Sequence, residues 1–109
     1  MAEFLGSSRR THYCTQISEK DIGKTVSVAG WAQRRRDLGS LIFIDLRDRS
    51  GIVQLAFDDS TDRAVFDKAF TVRSEYVLFA TGTVRERSSK NPNIPTGNIE
   101  ICVTELKIL

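Results

Sequence analysis

Histidine is almost missing from this sequence: His12 is the only one among 109 residues, beside two cysteines and two prolines. A single imidazole excludes a histidine-based catalytic triad and a multi-histidine metal site. "HYC" at 12–14 offers two metal-capable side chains, but no second pair lies near them in sequence, so a structural role is the reading taken. Cys14 and Cys102 permit one bridge at most, and a reduced pair is expected of a cytosolic protein. No GxxxxGK phosphate loop, HExxH or CxxC occurs. No apolar run reaches the ~20 residues that a helix needs to cross a bilayer. "MAEFLGSSRR" lacks the basic-then-apolar order of a secretory signal, so a cytoplasmic location without a membrane partner is expected. With 40% hydrophobic and 28% charged residues, disorder is also a poor reading, and the length suits one compact domain with a real core.

Net charge is only +2, so the chain as a whole is no polycation. Its distribution says more. Between Trp31 and Gln54 stand Arg34, Arg35, Arg36, Arg47 and Arg49 against Asp37, Asp45 and Asp48, and that segment alone carries as much net charge as the entire chain. Every cation in it is arginine, whose planar fork suits phosphates and base edges better than lysine does. A bare basic run is still most often a solvated face.

The hydrophobic periods predict three strands, a helix and two strands. "KTVSVAGWAQRRR" reads as a strand from Thr25 to about Arg36 with Val26 and Val28 inward. Gly30 marks an expected bulge that would turn Trp31 inward and Arg34 and Arg36 outward. "LIFIDLRD" places Ile42, Ile44 and Leu46 on the core face and Phe43, Asp45 and Arg47 on the other. "IVQLAF" follows, with Val53, Leu55 and Phe57 inward and Gln54 outward. In "DRAVFDKAFTVRSEY" the period changes: Val65, Ala69 and Val72 share a helical stripe with Phe66 and Phe70 beside it, and Ser60 or Thr61 could cap it. "YVLFATGTVRER" returns to strand and becomes basic on one face through Arg85 and Arg87. The loop "SSKNPNIPTG" precedes a last strand, "NIEICVTELKIL". Five strands in the order β-β-β-α-β-β match the five-stranded OB-fold barrel. The order would also suit an SH3-like barrel or a small α+β sheet. Residues 10–109 form the expected barrel and 1–9 a leader or disordered N-terminus. The strand-like end at "LKIL" hints at a fragment cut at a domain edge.

An enzyme site is hard to assemble from these residues. Asp45 and Asp48 could be imagined as a general acid and base, but with Arg47 and Arg49 around them an ion-pair lattice is the better reading. Binding is better supported, because Phe43, Gln54, Arg34 and Arg36 are expected on one outward face. Barrels of this class bind oligonucleotides across strands two and three, and single-stranded RNA is read by stacking on rings and bonding base edges. An isolated exposed phenylalanine would mean little. Arg87, Lys90, Asn91 and Asn93 offer hydrogen-bonding groups on the loop between strands four and five, stiffened by Pro92 and Pro95. Those asparagines could equally belong to an ordinary polar loop. Glu100 is either a base acceptor or a surface glutamate paired with a nearby arginine.

"RTHYC" at 10–14, "GWAQRRRDLGSLIFIDLRDRSGIVQL" at 30–55 and "NPNIPTGNIEI" at 91–101 resemble the N-terminal anticodon-binding domain of bacterial aspartyl-tRNA synthetase, a class II family. The resemblance implies a homodimeric enzyme that attaches aspartate to tRNA(Asp) with ATP and magnesium. Its catalytic domain lies outside this chain, leaving a non-catalytic domain with no catalytic residue, cofactor or metal of its own. It further implies that the barrel grips the splayed anticodon GUC. Phe43 would stack on an anticodon base, the central uracil first, with Arg36 and Gln54 contacting that uracil. Arg87 and Asn91 lie where the family reads the third base, Glu100 where it reads the first, and Arg34 where backbone phosphate passes. Some relatives that charge both tRNA(Asp) and tRNA(Asn) carry histidine where Leu38 stands, so leucine leans toward the aspartate-specific type. Two other readings stay open: a stand-alone single-stranded RNA- or DNA-binding OB module, and the related domain of asparaginyl- or lysyl-tRNA synthetase.

Overall fold

The computed structural model describes residues 9–109; the leader expected at the N-terminus falls almost wholly outside them. Two short 3-10 turns, Cys14–Gln16 and Glu19–Asp21, lead into β1 (Thr25–Asp37), β2 (Ile42–Asp48) and β3 (Gly51–Phe57). Helix α1 (Arg63–Phe70) follows, then β4 (Val77–Glu86) and β5 (Ile99–Ile108). The strands close into a barrel in the order β1-β2-β3-β5-β4, and β1 seals it by pairing with β4 as well. All neighbours are antiparallel except β3 and β5. The expected five-stranded OB-fold with one helix is therefore the observed architecture.

Alternation decides what fills the barrel. Ile42, Ile44 and Leu46 are fully buried, as are Val53, Leu55 and Phe57, with Val26, Val28 and Ile101 opposite. Each such side chain removed from water contributes ~1.5–3 kcal/mol. Cys14 and Ile17 close one side through the 3-10 turn, while Ala69 and Val72 bring the helix region onto the same core. Eight residues make too short a helix to stand alone; packing and the Lys68 Nζ bond to the Leu106 carbonyl (3.0 Å) hold it. Its cap is Asp62, whose side chain accepts from the Ala64 N–H at 3.0 Å, not Ser60 or Thr61 as expected. Thr61 instead turns its hydroxyl back to the Asp58 N–H.

The first strand departs from expectation at two linked points. Residues 25–31 of β1 pair with β4, and from Trp31 onward the strand pairs with β2, so it bends from one neighbour to the other around Gly30. A side chain there would meet the Arg47 carbonyl oxygen at 2.2 Å. Close approach, rather than a bulge, is why glycine stands at this position. The register shift comes three residues later, between Ala32 and Arg34. Ala32 therefore keeps the inward parity of Val26 and Val28, and Trp31 stays outside at 39% exposure. Past the shift, Arg34 and Arg36 face outward opposite Asp45 and Phe43. The expected outcome for the arginines stands; the expected burial of Trp31 does not.

Candidate nucleic-acid interface

All five strands and one loop deliver polar groups to a single outer surface. Phe43 is half-buried there, outside the barrel core. Arg36 lies opposite it in register, with its guanidinium carbon 5.3 Å from the ring centroid. Asp45, also outward, is 3.9 Å from the same guanidinium. The Arg36 Nη2 donates to Gln54 Oε1 at 2.6 Å, and Gln54 Nε2 donates to Glu100 Oε1 at 2.8 Å. Glu100 Oε2 accepts from Arg85 Nε at 2.6 Å, and Arg85 Nη2 reaches Asp58 Oδ2 at 3.0 Å. A continuous chain thus runs from β1 through β3 and β5 to β4.

This chain fixes orientations. Guanidinium only donates and carboxylate only accepts, so the Gln54 amide can face its two neighbours in one way. Gln54 and Glu100 are 3% and 6% exposed, so they form a satisfied polar floor beneath the more open ring. Burial works against the charge on Arg85, yet its bonds to Glu100 and Asp58 outweigh that and raise its pKa. The Ser60 hydroxyl, then the Ser60 N–H and Arg85, hold the Asp58 carboxyl below its ordinary value. Glu100 is thus paired with an arginine, buried rather than exposed, on the same side of the barrel as Phe43.

Beside the floor is a cleft of about 210 Å³ lined by Arg34, Arg36, Asp45, Ile52, Arg87, Asn91 and Ile94. The loop after β4 builds its far wall. Asn91 N–H donates to the Gly97 carbonyl at 2.9 Å, and the Thr96 hydroxyl donates to the Ile52 carbonyl at 2.5 Å, tying the loop to β3. Gly97 permits this closure, since a Cβ there would sit 1.6 Å from the Asn91 carbonyl oxygen. Arg87 is only 8% exposed, and its Nε has no hydrogen-bond partner among the described residues. An unpaired buried donor costs ~1–3 kcal/mol, which an acceptor entering the cleft would recover.

The structure thus brings Arg34, Arg36, Phe43, Gln54, Arg87, Asn91 and Glu100 onto one connected surface. Asn93 stands apart: it is exposed, and its contact is a backbone N–H donated to Asn91 Oδ1 at 3.0 Å. Arg85 and Asp58 also belong to this surface, and strand pattern alone does not single them out. The basic face of β4 was visible, but the register that sets Arg85 opposite Glu100 depends on a loop whose closure no local pattern reveals.

Asp48 does not join an arginine lattice. It accepts from the Cys14 N–H at 2.8 Å and from the Ser50 N–H and hydroxyl at 2.8 and 2.6 Å. Burial opposes its charge, but these bonds prevail and hold its carboxyl below the ordinary value. Cys14 is buried, its thiol facing the Leu46 carbonyl at 3.6 Å, and burial followed by the charge of Asp48 pushes it up to about 12. Both cysteines are free.

The chain has relatives of known family among characterised proteins. The chain is 53% identical to the aspartate–tRNA(Asp/Asn) ligase of Caldanaerobacter subterraneus subsp. tengcongensis over 111 residues, covering all of this chain and 19% of that protein. It is also 53% identical to the aspartate–tRNA ligase of Ruminiclostridium cellulolyticum, covering all of this chain and 18% of that protein. The chain therefore spans about a fifth of the length of the curated relatives it matches. The asparaginyl-tRNA synthetase of Pyrococcus horikoshii, solved with asparaginyl-adenylate, superimposes with a TM-score of 0.80 at 26% identity, over 94% of this chain and 22% of that one. Residues 26–109 match the OB-fold nucleic acid binding domain model, and the chain belongs to that family.

Proposed function

We propose that this chain is the anticodon-reading domain of an aspartate–tRNA ligase, occupying residues 10–109, and that its outer face captures the GUC anticodon of tRNA(Asp). The observation that carries the proposal is the hydrogen-bonded run Arg36–Gln54–Glu100–Arg85 lying beside the Phe43 ring. Donors and acceptors already aligned need no reordering when a base arrives, so less binding energy is lost to fixing them. Phe43 stacks on the central uracil, worth ~1–3 kcal/mol, while Arg36 and Gln54 meet its edge. Glu100 accepts from the first guanine. Arg87 and Asn91 read the third base within their cleft, Arg34 touches phosphate, and Asn93 contacts the loop backbone.

Recognition is this domain's share of the reaction. Pulling three bases out of their stack and holding them sets the register of the whole tRNA, and so orients the acceptor end toward a distant site. The whole ligase, a cytoplasmic homodimer, attaches aspartate to tRNA(Asp) with ATP and magnesium. Among the described residues no group of three or more His, Cys, Asp or Glu is placed to hold a metal ion, so no residue set here fits that magnesium. No helix among them is long and apolar enough to cross a membrane.

A second reading has one observation in its favour: a relative at 53% identity is named for both tRNA(Asp) and tRNA(Asn). On that reading the third-base cleft accepts GUU as well as GUC; Leu38, exposed in the β1–β2 turn, leans the other way. Titrating GUC, GUU, UUU and scrambled stem-loops at one salt concentration tests both. A preference for GUC supports the proposal, equal GUC and GUU binding supports the second reading, and equal affinity for all four refutes anticodon reading, because phosphate contacts carry no sequence information.

A further inference from the structure

Beyond the ring and its polar floor, the outer face of β1 and β2 continues as a second feature. Alternate residues of a strand repeat every ~6.6 Å on one side, and here the outward pairs step from Arg36/Phe43 to Arg34/Asp45 to Trp31/Arg47. Arg49 follows in the β2–β3 turn. Arg34, Arg47 and Arg49 make no ion pair with a carboxylate among the described residues, and neither does Arg10. Most other arginines of the barrel do: Arg35 with Asp37, Arg36 with Asp45, Arg63 with Asp67 and Arg85 with Asp58 and Glu100.

These free cations are held rather than loose. Arg10 and Arg49 both lie over the Tyr13 ring, 4.1 and 4.4 Å from its centroid. Both donate Nη2 to the same phenol oxygen, at 3.2 and 2.6 Å. Arg47 Nε is taken by Gln33 Oε1, the side chain at the register shift. A cleft of about 250 Å³ lined by Arg10, Tyr13, Trp31, Arg49 and neighbouring backbone opens between them. Its one carboxylate, Asp48, has both oxygens engaged by Cys14 and Ser50 and is 6% exposed. Two guanidiniums gathered on one phenol repel each other, and a bridging anion relieves that repulsion.

We infer that the Arg10–Tyr13–Arg49 cluster, with Arg47 and Arg34 leading to it, is a phosphate-binding track for the sugar–phosphate backbone of the stem of the same RNA whose loop sits at Phe43. The inference rests on the anticodon reading above. A duplex stem leaving the loop carries a phosphate row at about the strand's own repeat, and arginine binds each phosphate oxygen pair bidentately. The track adds affinity without adding base preference, and it fixes the direction in which the stem departs from the barrel.

The test compares the double variant Arg10→Gln/Arg49→Gln with the unaltered protein on three probes: a GUC stem-loop, a stem-loop with scrambled loop bases, and the GUC loop strand alone. Affinity is measured across a salt series. The double variant weakens both stem-loops by the same factor and lowers the slope of log K against log salt by about 1 to 2. It binds the loop strand as the unaltered protein does. Arg49→Lys, which keeps the charge, retains most of the slope. Both arginines are exposed, so melting temperature stays within a few degrees and reports intact folding. An unchanged slope and unchanged stem-loop affinity overturn the inference, as does an equal loss on the loop strand alone. If the unaltered protein shows no GUC preference, the anticodon reading fails, while a reduced slope in the variant still upholds the phosphate track.

Discussion

The Arg36 guanidinium covers the Phe43 ring from 5.3 Å while donating to Gln54 at 2.6 Å. One side chain therefore ties the stacking surface to the hydrogen-bonding floor, and it reaches both because β1 shifts register three residues before it.

Phe43 lies outside the barrel core, so replacing it should separate binding from folding. Phe43→Ala weakens binding of a GUC stem-loop by ~1–3 kcal/mol and leaves the thermal midpoint nearly unchanged. Fluorescence titration beside a melting curve checks this. A collapse of the midpoint with affinity intact would show that the ring serves the core.

Gln54 is buried between a donor and an acceptor, so its loss affects both properties. Gln54→Leu leaves Arg36 and Glu100 without their shared partner and lowers unfolding free energy by ~1–3 kcal/mol. Stem-loop binding falls as well. Urea unfolding supplies the first quantity and titration the second.

Asp48 gives the fold an acid limit. Its native carboxyl titrates below the ordinary value of 3.8, so in the acid range the native state holds fewer protons than the unfolded chain. Stability from this group is complete above that value and is lost as pH falls toward the native pKa. Asp48→Ala is less stable than the unaltered protein at neutral pH, and the gap narrows below about pH 4. Urea midpoints measured across pH show the convergence.

Cys14 acts in the opposite direction. Its thiol is pushed up to about 12 from 9.0, so the native state favours the neutral form. That contribution is complete below pH 9.0 and is lost as pH rises toward 12. A thiol reagent at neutral pH modifies Cys102, which is partly exposed, long before Cys14. Mass spectrometry of the singly labelled protein identifies the site.

Alternation carried most of the fold. Ile42, Ile44 and Leu46 read as core because a strand with one buried face leaves a period of two, and Phe43 was thereby assigned outside. The helix was legible from the shift to Val65, Ala69 and Val72. Local pattern failed where the chain turns from one neighbour to another. Gly30 looked like a bulge because sequence does not distinguish a register shift from a close approach of two backbones. Trp31 followed it into error, since the parity of one residue depends on which side of the shift it stands.

The same limit governs the site. Strand parity grouped Arg36, Phe43 and Gln54, whose hairpin neighbours are close in sequence. Arg85 has no local signal because its partner Glu100 arrives across a long loop, and Asp58 has none because its partner Arg85 lies on β4, beyond the helix. Asp48 was grouped with the arginines adjacent in sequence, while its true partners are the Cys14 backbone and Ser50. Asn93 shares the turn with Asn91 but stands exposed outside the cleft, a difference that composition does not reveal.

A double-mutant cycle between Phe43→Ala and removal of the central anticodon base tests the stacking contact itself. The stem-loop is compared with one carrying an abasic central nucleotide, against both proteins. If the ring holds that base, base removal weakens binding to the unaltered protein and has little further effect on Phe43→Ala. Fully additive losses would place the ring and the central base in separate interactions and contradict the account.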